Sequence, residues 1–331
     1  MIRKTLAISL FFLSVLITHA QQFPITSQPL SNAFFFNPAA AGVQGFLDIS
    51  IGGRQQWAGI DNAPRTYYLY ANSALGKKAS KDFSYLSLPV SNPGYYDKVL
   101  NSKPKVKHAL GGRAYSDSYG AFTETGVGLD YAIHLPIKEK LYLAFGLGFQ
   151  FSNFFFDRTK GSVLNDNDPT YMQFLSGNES KYIFNGRFGV YVYSDRFRFG
   201  YSMNQLIPNS LSGETNSSAY QGLKIHHFAN ASYRIPLNKI GLTPSASLLF
   251  TANVPLNLYG GMILDYNRLF LISAAYRNEG DLIFGIGFTL LKNIRFTYTY
   301  DFPINDLVRA TSGSHELLIK FMLNPKKGSN D

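Results

Sequence analysis

Asp130 and His134 are the residues that catalytic chemistry would ask about first. An acid that orients an imidazole could create a base for hydrolysis. The two share one parity of an alternating segment, yet four residues at strand rise put them about 13 Å apart. That is too far for a hydrogen bond. His226 and His227 are adjacent, so on a strand they point to opposite faces and make no joint metal site. Asn165-Asp166-Asn167-Asp168 carries oxygen donors but lacks the following glycine and spaced glutamate of an EF-hand, and reads as a solvated loop. There is no cysteine, hence no disulfide framework, thiolate nucleophile, thiolate metal site or lipid-attachment thiol. The expectation is a protein without catalytic residues, metal ligands or cofactors. A hydrolytic dyad assembled across strands is the remaining enzymatic reading.

These side chains would be positioned by strands. From 141 to 152, Leu141, Leu143, Phe145, Leu147, Phe149 and Phe151 alternate with Tyr142, Ala144, Gly146, Gly148, Gln150 and Ser152. One face is large and apolar, the other small or polar, as in a strand between lipid and a lumen. The pattern recurs at 46–57, 65–74, 106–117, 123–134, 182–193, 196–204, 224–235, 241–252, 256–266, 270–276, 282–290, 294–300 and 315–323. The fold class is therefore all-β, an antiparallel transmembrane β-barrel of about fourteen strands; closure removes edges that lipid cannot satisfy. On strand four, Glu124, Gly126, Gly128, Asp130 and His134 face inward. Connections at 136–140, 194–195, 236–239, 267–268 and 292–293 are short, as periplasmic turns are, whereas 153–181, 205–223 and 303–314 are long and external. Residues 77–105 break this rule. They are long, lie on the periplasmic side and carry seven lysines with their edge, from Lys77 to Lys107, which predicts an element that contacts a partner.

Within this frame the lumen charges converge. Arg54 and Gln56 end strand one, Asp301 ends strand thirteen, and Glu316 opens strand fourteen above Lys320. Closure pairs the last strand with the first, so Arg54 is expected to bridge to Glu316 and also to Asp301 across the seam.

The N-terminus shows Arg3 and Lys4, an apolar run from Leu6 to Ile17, and Thr18-His19-Ala20, which predicts a signal peptide over 1–20; an N-terminal anchor is the alternative. Residues 21–45, with Phe34, Phe35 and Phe36, are expected to cap or enter the periplasmic end of a barrel over 46–323, and 324–331 form a tail. With 15% aromatic and only 16% charged residues, the composition fits a barrel in which every second residue meets lipid. The net charge of +10 is scattered and comes without a nucleic-acid motif, so no nucleic acid is expected as partner. Contact with outer-membrane lipid phosphates and plain solvation account for it equally.

Three motifs carry a family resemblance. Asn37-Pro38-Ala39-Ala40-Ala41-Gly42 precedes strand one; Arg54-Gln55-Gln56-Trp57-Ala58-Gly59 ends it; Gly313-Ser314-His315-Glu316 opens the last strand. In this order they resemble the PorP/SprF family of type IX secretion system membrane proteins of Bacteroidetes. The resemblance implies an integral outer-membrane barrel that works with a type IX machinery subunit or a secreted adhesin, including adhesins of gliding motility. It implies a non-enzymatic accessory role in secretion or surface anchoring of cargo. The rival reading is a porin-like or uptake channel for a small solute.

Overall fold

The computed structural model describes residues 25–75, 105–160, 172, 180–207, 224–290 and 293–323. The expected signal peptide, the tail at 324–331, the Asn165–Asp168 loop and nearly all of 77–105 lie outside these residues. The wall is made by β1 (Leu47–Gln55), β2 (Arg65–Ala74), β3 (Lys107–Tyr119), β4 (Phe122–Lys138), β5 (Leu141–Phe156), β6 (Ser180–Tyr193), β7 (Phe197–Asn204) and β8 (His226–Tyr233). It continues through β9 (Ile235–Leu237), β10 (Ile240–Thr251), β11 (Asn257–Tyr266), β12 (Phe270–Arg277), β13 (Asp281–Leu290), β14 (Ile294–Pro303) and β15 (Ser314–Leu323).

Neighbouring strands are antiparallel, β10 pairs with β11, and β15 returns to β1 from Leu47↔Leu323 to Gln55↔His315. The sheet therefore closes. The short β9 keeps the register of β8 against β10, so the two are one strand interrupted at Arg234, and fourteen strands make the barrel. Closure satisfies every ladder without an edge in lipid. Alternation sorts the side chains. On β5, Phe145, Leu147, Phe149 and Phe151 are exposed outward, while Tyr142, Ala144 and Ser152 are buried inward. On β2, Tyr67 and Leu69 face out while Tyr68 and Tyr70 are buried.

Three strand ends differ from the sequence reading. The prolines of Leu135-Pro136 and Pro236 signal turns in the sequence, within the short connections expected at 136–140 and 236–239. Instead β4 continues to Lys138 over a register irregularity after Pro136, and the turn is Glu139-Lys140 with Lys140 at φ 64°. Ile235–Leu237 pair with β10, and Asn238 makes the turn at φ 57°. Near a strand end a lost ladder donor costs little. β1, by contrast, stops at Gln55, and Trp57, at φ 45°, lies in the following loop.

The buried core lies inside the barrel. Residues 25–46 run through the lumen, with one helical turn at Ala33–Phe36 and a 3-10 turn at Pro38–Ala40. Phe34, Phe35 and Phe36 pack with Tyr68, Tyr70, Tyr115, Tyr191 and Phe228 of the wall. Phe36 stacks on Phe228 at 4.5 Å between centroids.

Candidate functional site

The lumen plug and the groups that hold it form the candidate site. Asn37 is its pivot. Its amide nitrogen donates to the Val190 carbonyl at 3.1 Å and to the Tyr201 carbonyl at 3.2 Å, while its oxygen accepts from the Ala39 N–H at 2.9 Å. The amide thus caps the 3-10 turn and ties it to β6 and β7. Pro38 suits that turn, since its fixed φ starts a helix and its missing N–H is not needed there. The wall makes room with small residues: a Cβ on Gly146 would overlap the Pro38–Ala39 backbone, and one on Gly189 would overlap the Asn37 side chain.

Carbonyls left open by the plug's short turns receive donors from the wall. Arg187 donates to Phe35 O at 3.1 Å and to Phe34 O at 3.2 Å; Ser202 and Asn204 donate to Phe36 O at 2.9 and 3.1 Å. His134 contacts Ala41 O through Nε2 at 2.8 Å, and Nδ1 lies 3.0 Å from the Tyr193 hydroxyl. A carbonyl only accepts, so Nε2 donates and Nδ1 accepts from Tyr193, the neutral tautomer. Gly42, at φ 70°, donates its N–H to Asn72 Oδ1 at 2.9 Å as the chain leaves for β1.

At the end bearing the long connections, the seam charges meet. Arg54 Nη1 lies 2.8 Å from Asp301 Oδ2 and 3.7 Å from Glu316 Oε2. All three predicted cluster residues are brought together and are almost fully buried. The order of proximity, however, reverses the expectation, which put Glu316 first. Glu316 is turned toward the plug: it accepts from the Ser27 N–H at 2.5 Å, the Tyr68 hydroxyl at 2.9 Å and Asn32 at 3.4 Å. Arg54 also donates to the Ser27 hydroxyl. Arg277, which the sequence reading left out, lies 3.3 Å from Asp301 and 3.1 Å from Asp281. Below, Lys320 reaches Asp48 and the Ser31 carbonyl, each at 3.1 Å.

The other motif residues hold the loop above this cluster. Gln56 leaves the lumen face, because β1 has ended, and donates its N–H to Pro64 O at 2.9 Å. The Trp57 N–H donates to Ser314 Oγ at 3.1 Å, and the Ala58 N–H to Gly313 O at 2.7 Å. Gly59 and Gly313 adopt φ of 98° and 93°, where a side chain would be strained. His315 faces outward beside Tyr298, 2.7 Å from its hydroxyl.

A second buried cluster went unrecognised in the sequence. Asp130 lies 3.4 Å from Arg187 and 3.7 Å from Arg113. Arg113 donates to Gln150 at 2.6 Å, Gln150 to Tyr115 and Tyr115 to Glu124, each at 2.5 Å. Asp130 thus serves two arginines, and His134 serves the plug; they do not act as a dyad. Among the described residues no group of three or more His, Asp or Glu is placed to hold a metal. A small cavity remains between the plug and β11, β12, β14 and β15, lined by Ser31, Tyr259, Ser273, Arg295 and Lys320 among others.

The sequence profile described as type IX secretion system membrane protein PorP/SprF matches residues 18–321, nearly the whole chain. The chain belongs to the PorP/SprF family. No curated protein shows a significant match. Solved structures with similar architecture are remote from this PorP/SprF chain. Omp33 of Acinetobacter baumannii is 9% identical, with 85% of this chain and all of that chain covered (100%) and a TM-score of 0.44. The monoaromatic hydrocarbon channel CymD is 11% identical over 92% of this chain and 94% of its own, with a TM-score of 0.48. The toluene transporter TodX of P. putida is 9% identical over 89% and 95%, with a TM-score of 0.42. The closed sheet, its apolar outer face and the family together make this an integral outer-membrane barrel associated with type IX secretion.

Proposed function

We propose that this PorP/SprF barrel is a non-enzymatic accessory of type IX secretion that assists the export or surface anchoring of a large adhesin or similar cargo. The observation that carries the reading is the plug. Two of the three family motifs meet at the seam loop, and the third, Asn37–Gly42, lies within the lumen plug, hydrogen-bonded to β2, β4, β6 and β7. A lumen filled by its own chain suits a docking component better than a solute pore. The partners are a machinery subunit and the cargo.

The test is a strain lacking this barrel, with surface and culture fractions assayed for type IX cargo. Loss of one large cargo with general export intact supports the proposal; unchanged secretion of every cargo removes it. The rival is the channel reading, and single-channel conductance of the purified protein in a planar bilayer decides it. Steady wild-type conductance would support the channel.

A further inference from the structure

The turns at the short-connection end share a composition. Lys138 ends β4, Lys140 lies between β4 and β5, Arg196 between β6 and β7, Lys239 between β9 and β10, and Arg268 between β11 and β12. Among the described residues of these turns only Glu139 and Asp195 oppose them, and Asp195 sits 3.9 Å from Lys140 with both side chains partly exposed. At the opposite end Arg65, Arg158, Lys160, Lys181, Lys224 and Arg309 stand among Asp61, Asp157, Glu279 and Asp306, a mixed population. At the short-turn rim the described cations outnumber the described acids by five to two.

Four of these five cations also have apolar neighbours exposed on the outer wall. Ile137 adjoins Lys138, Phe197 adjoins Arg196, Leu237 and Ile240 bracket Lys239, and Tyr266 and Phe270 bracket Arg268. Those apolar side chains need hydrocarbon. The cations one or two residues away then sit at headgroup depth, where long basic side chains reach phosphates while their stems stay apolar. The turns are spread around the rim instead of gathered in one patch. A protein docking on one side would use a patch, and one docking along the axis would not need the apolar residues beside Lys138, Arg196, Lys239 and Arg268.

We infer that the short-turn rim binds anionic phospholipid headgroups of the leaflet it faces, with Lys140, Arg196, Lys239 and Arg268 as the phosphate-facing cations. The rim would fix the depth of the barrel and gather anionic lipid around it.

The test uses the full chain reconstituted in phosphatidylcholine vesicles with spin-labelled phosphatidylglycerol or phosphatidylcholine as probe. The wild type is expected to hold phosphatidylglycerol about threefold more strongly, a preference that high salt reduces. Combined Lys140→Asn, Arg196→Gln, Lys239→Gln and Arg268→Asn should abolish it; asparagine is chosen where φ is positive, at Lys140 and Arg268. Arg196→Gln with Lys239→Gln alone should lower the preference partway, which keeps the test decisive if the fourfold variant fails to fold. Arg158→Gln with Lys160→Gln, at the other end, should leave it intact. Equal retention of both lipids by the wild type, with or without an acidic protein bound at the rim, overturns the inference. So does a preference that survives both rim variants or disappears in the Arg158/Lys160 control.

Discussion

Arg54 on β1 reaches Asp301 on β14 across the intervening strand β15, closing to 2.8 Å. Two strand spacings amount to about 9–10 Å of backbone separation, which the long arginine spans. Glu316, on the strand between, stays 3.7 Å away and serves the plug. Arg54→Met, which keeps the volume and removes the charge, should cost about 3 kcal/mol because it leaves buried carboxylates short of a cation. The midpoint of heat-modifiable gel migration in detergent measures it, and an unchanged midpoint would refute the role of the cluster.

The same geometry decides a charge-reversal experiment. Glu316→Arg should fail to rescue Arg54→Glu. Position 316 faces three donors, the Ser27 N–H, the Tyr68 hydroxyl and Asn32, and an arginine there would set donors against donors. Recovery of the wild-type midpoint in the double variant would show that the seam pairs Arg54 mainly with Glu316.

Asn37 offers a test of the plug's pivot. Asn37→Ala removes donations to two wall carbonyls and the cap on Ala39, at a cost of about 2–3 kcal/mol. Asn37→Asp should be worse than alanine despite its closer shape, because a carboxylate would face two carbonyl oxygens with no proton to give. Equal or greater stability of the aspartate variant, by the same midpoint, would contradict this arrangement.

Gly146→Leu should separate the plug from the barrel. The new side chain enters the space of Pro38 and Ala39 while β5 keeps its ladders. The expected result is a folded barrel in which chymotrypsin cuts after Phe34, Phe35 or Phe36, bonds that are buried in the wild type. A folded variant that stays resistant would mean that the plug yields without leaving.

Asp130→Asn should destabilise by about 3 kcal/mol, since Arg113 and Arg187 would share a burial site without a counter-charge. Adding Arg113→Met should recover part of the loss, and a double-mutant cycle measures that coupling.

The barrel was readable because alternation in a wall between lipid and lumen is enforced at nearly every residue. The strand five pattern and the short turns at 194–195 and 267–268 are direct products of that constraint. Strand ends were less readable. Pro136 and Pro236 signal turns locally, but their neighbours on β5 and β10 extend the ladder past them. The seam triad could be placed by parity and strand direction alone. Arg277 could not, because its approach to Asp301 crosses β13 and depends on side-chain reach instead of register. Arg113 on β3 and Arg187 on β6 converge on Asp130 of β4 from different strands, and parity alone carries no signal of that convergence. The plug's path was hidden for a different reason: a segment without a period leaves no trace of which wall it touches.

The plug stands first in the chain, and its anchors include the last strand. Ser27 and Ser31 meet Glu316 and Lys320 of β15, the strand that must also zip to β1. A sheet that closed with the plug outside would leave both charged groups facing an open lumen without those partners, with only wall contacts such as Asp48 and Tyr68 remaining. The strand that closes the barrel therefore completes its inner contacts with the plug in the lumen, so the seam and the plug share one set of buried charges.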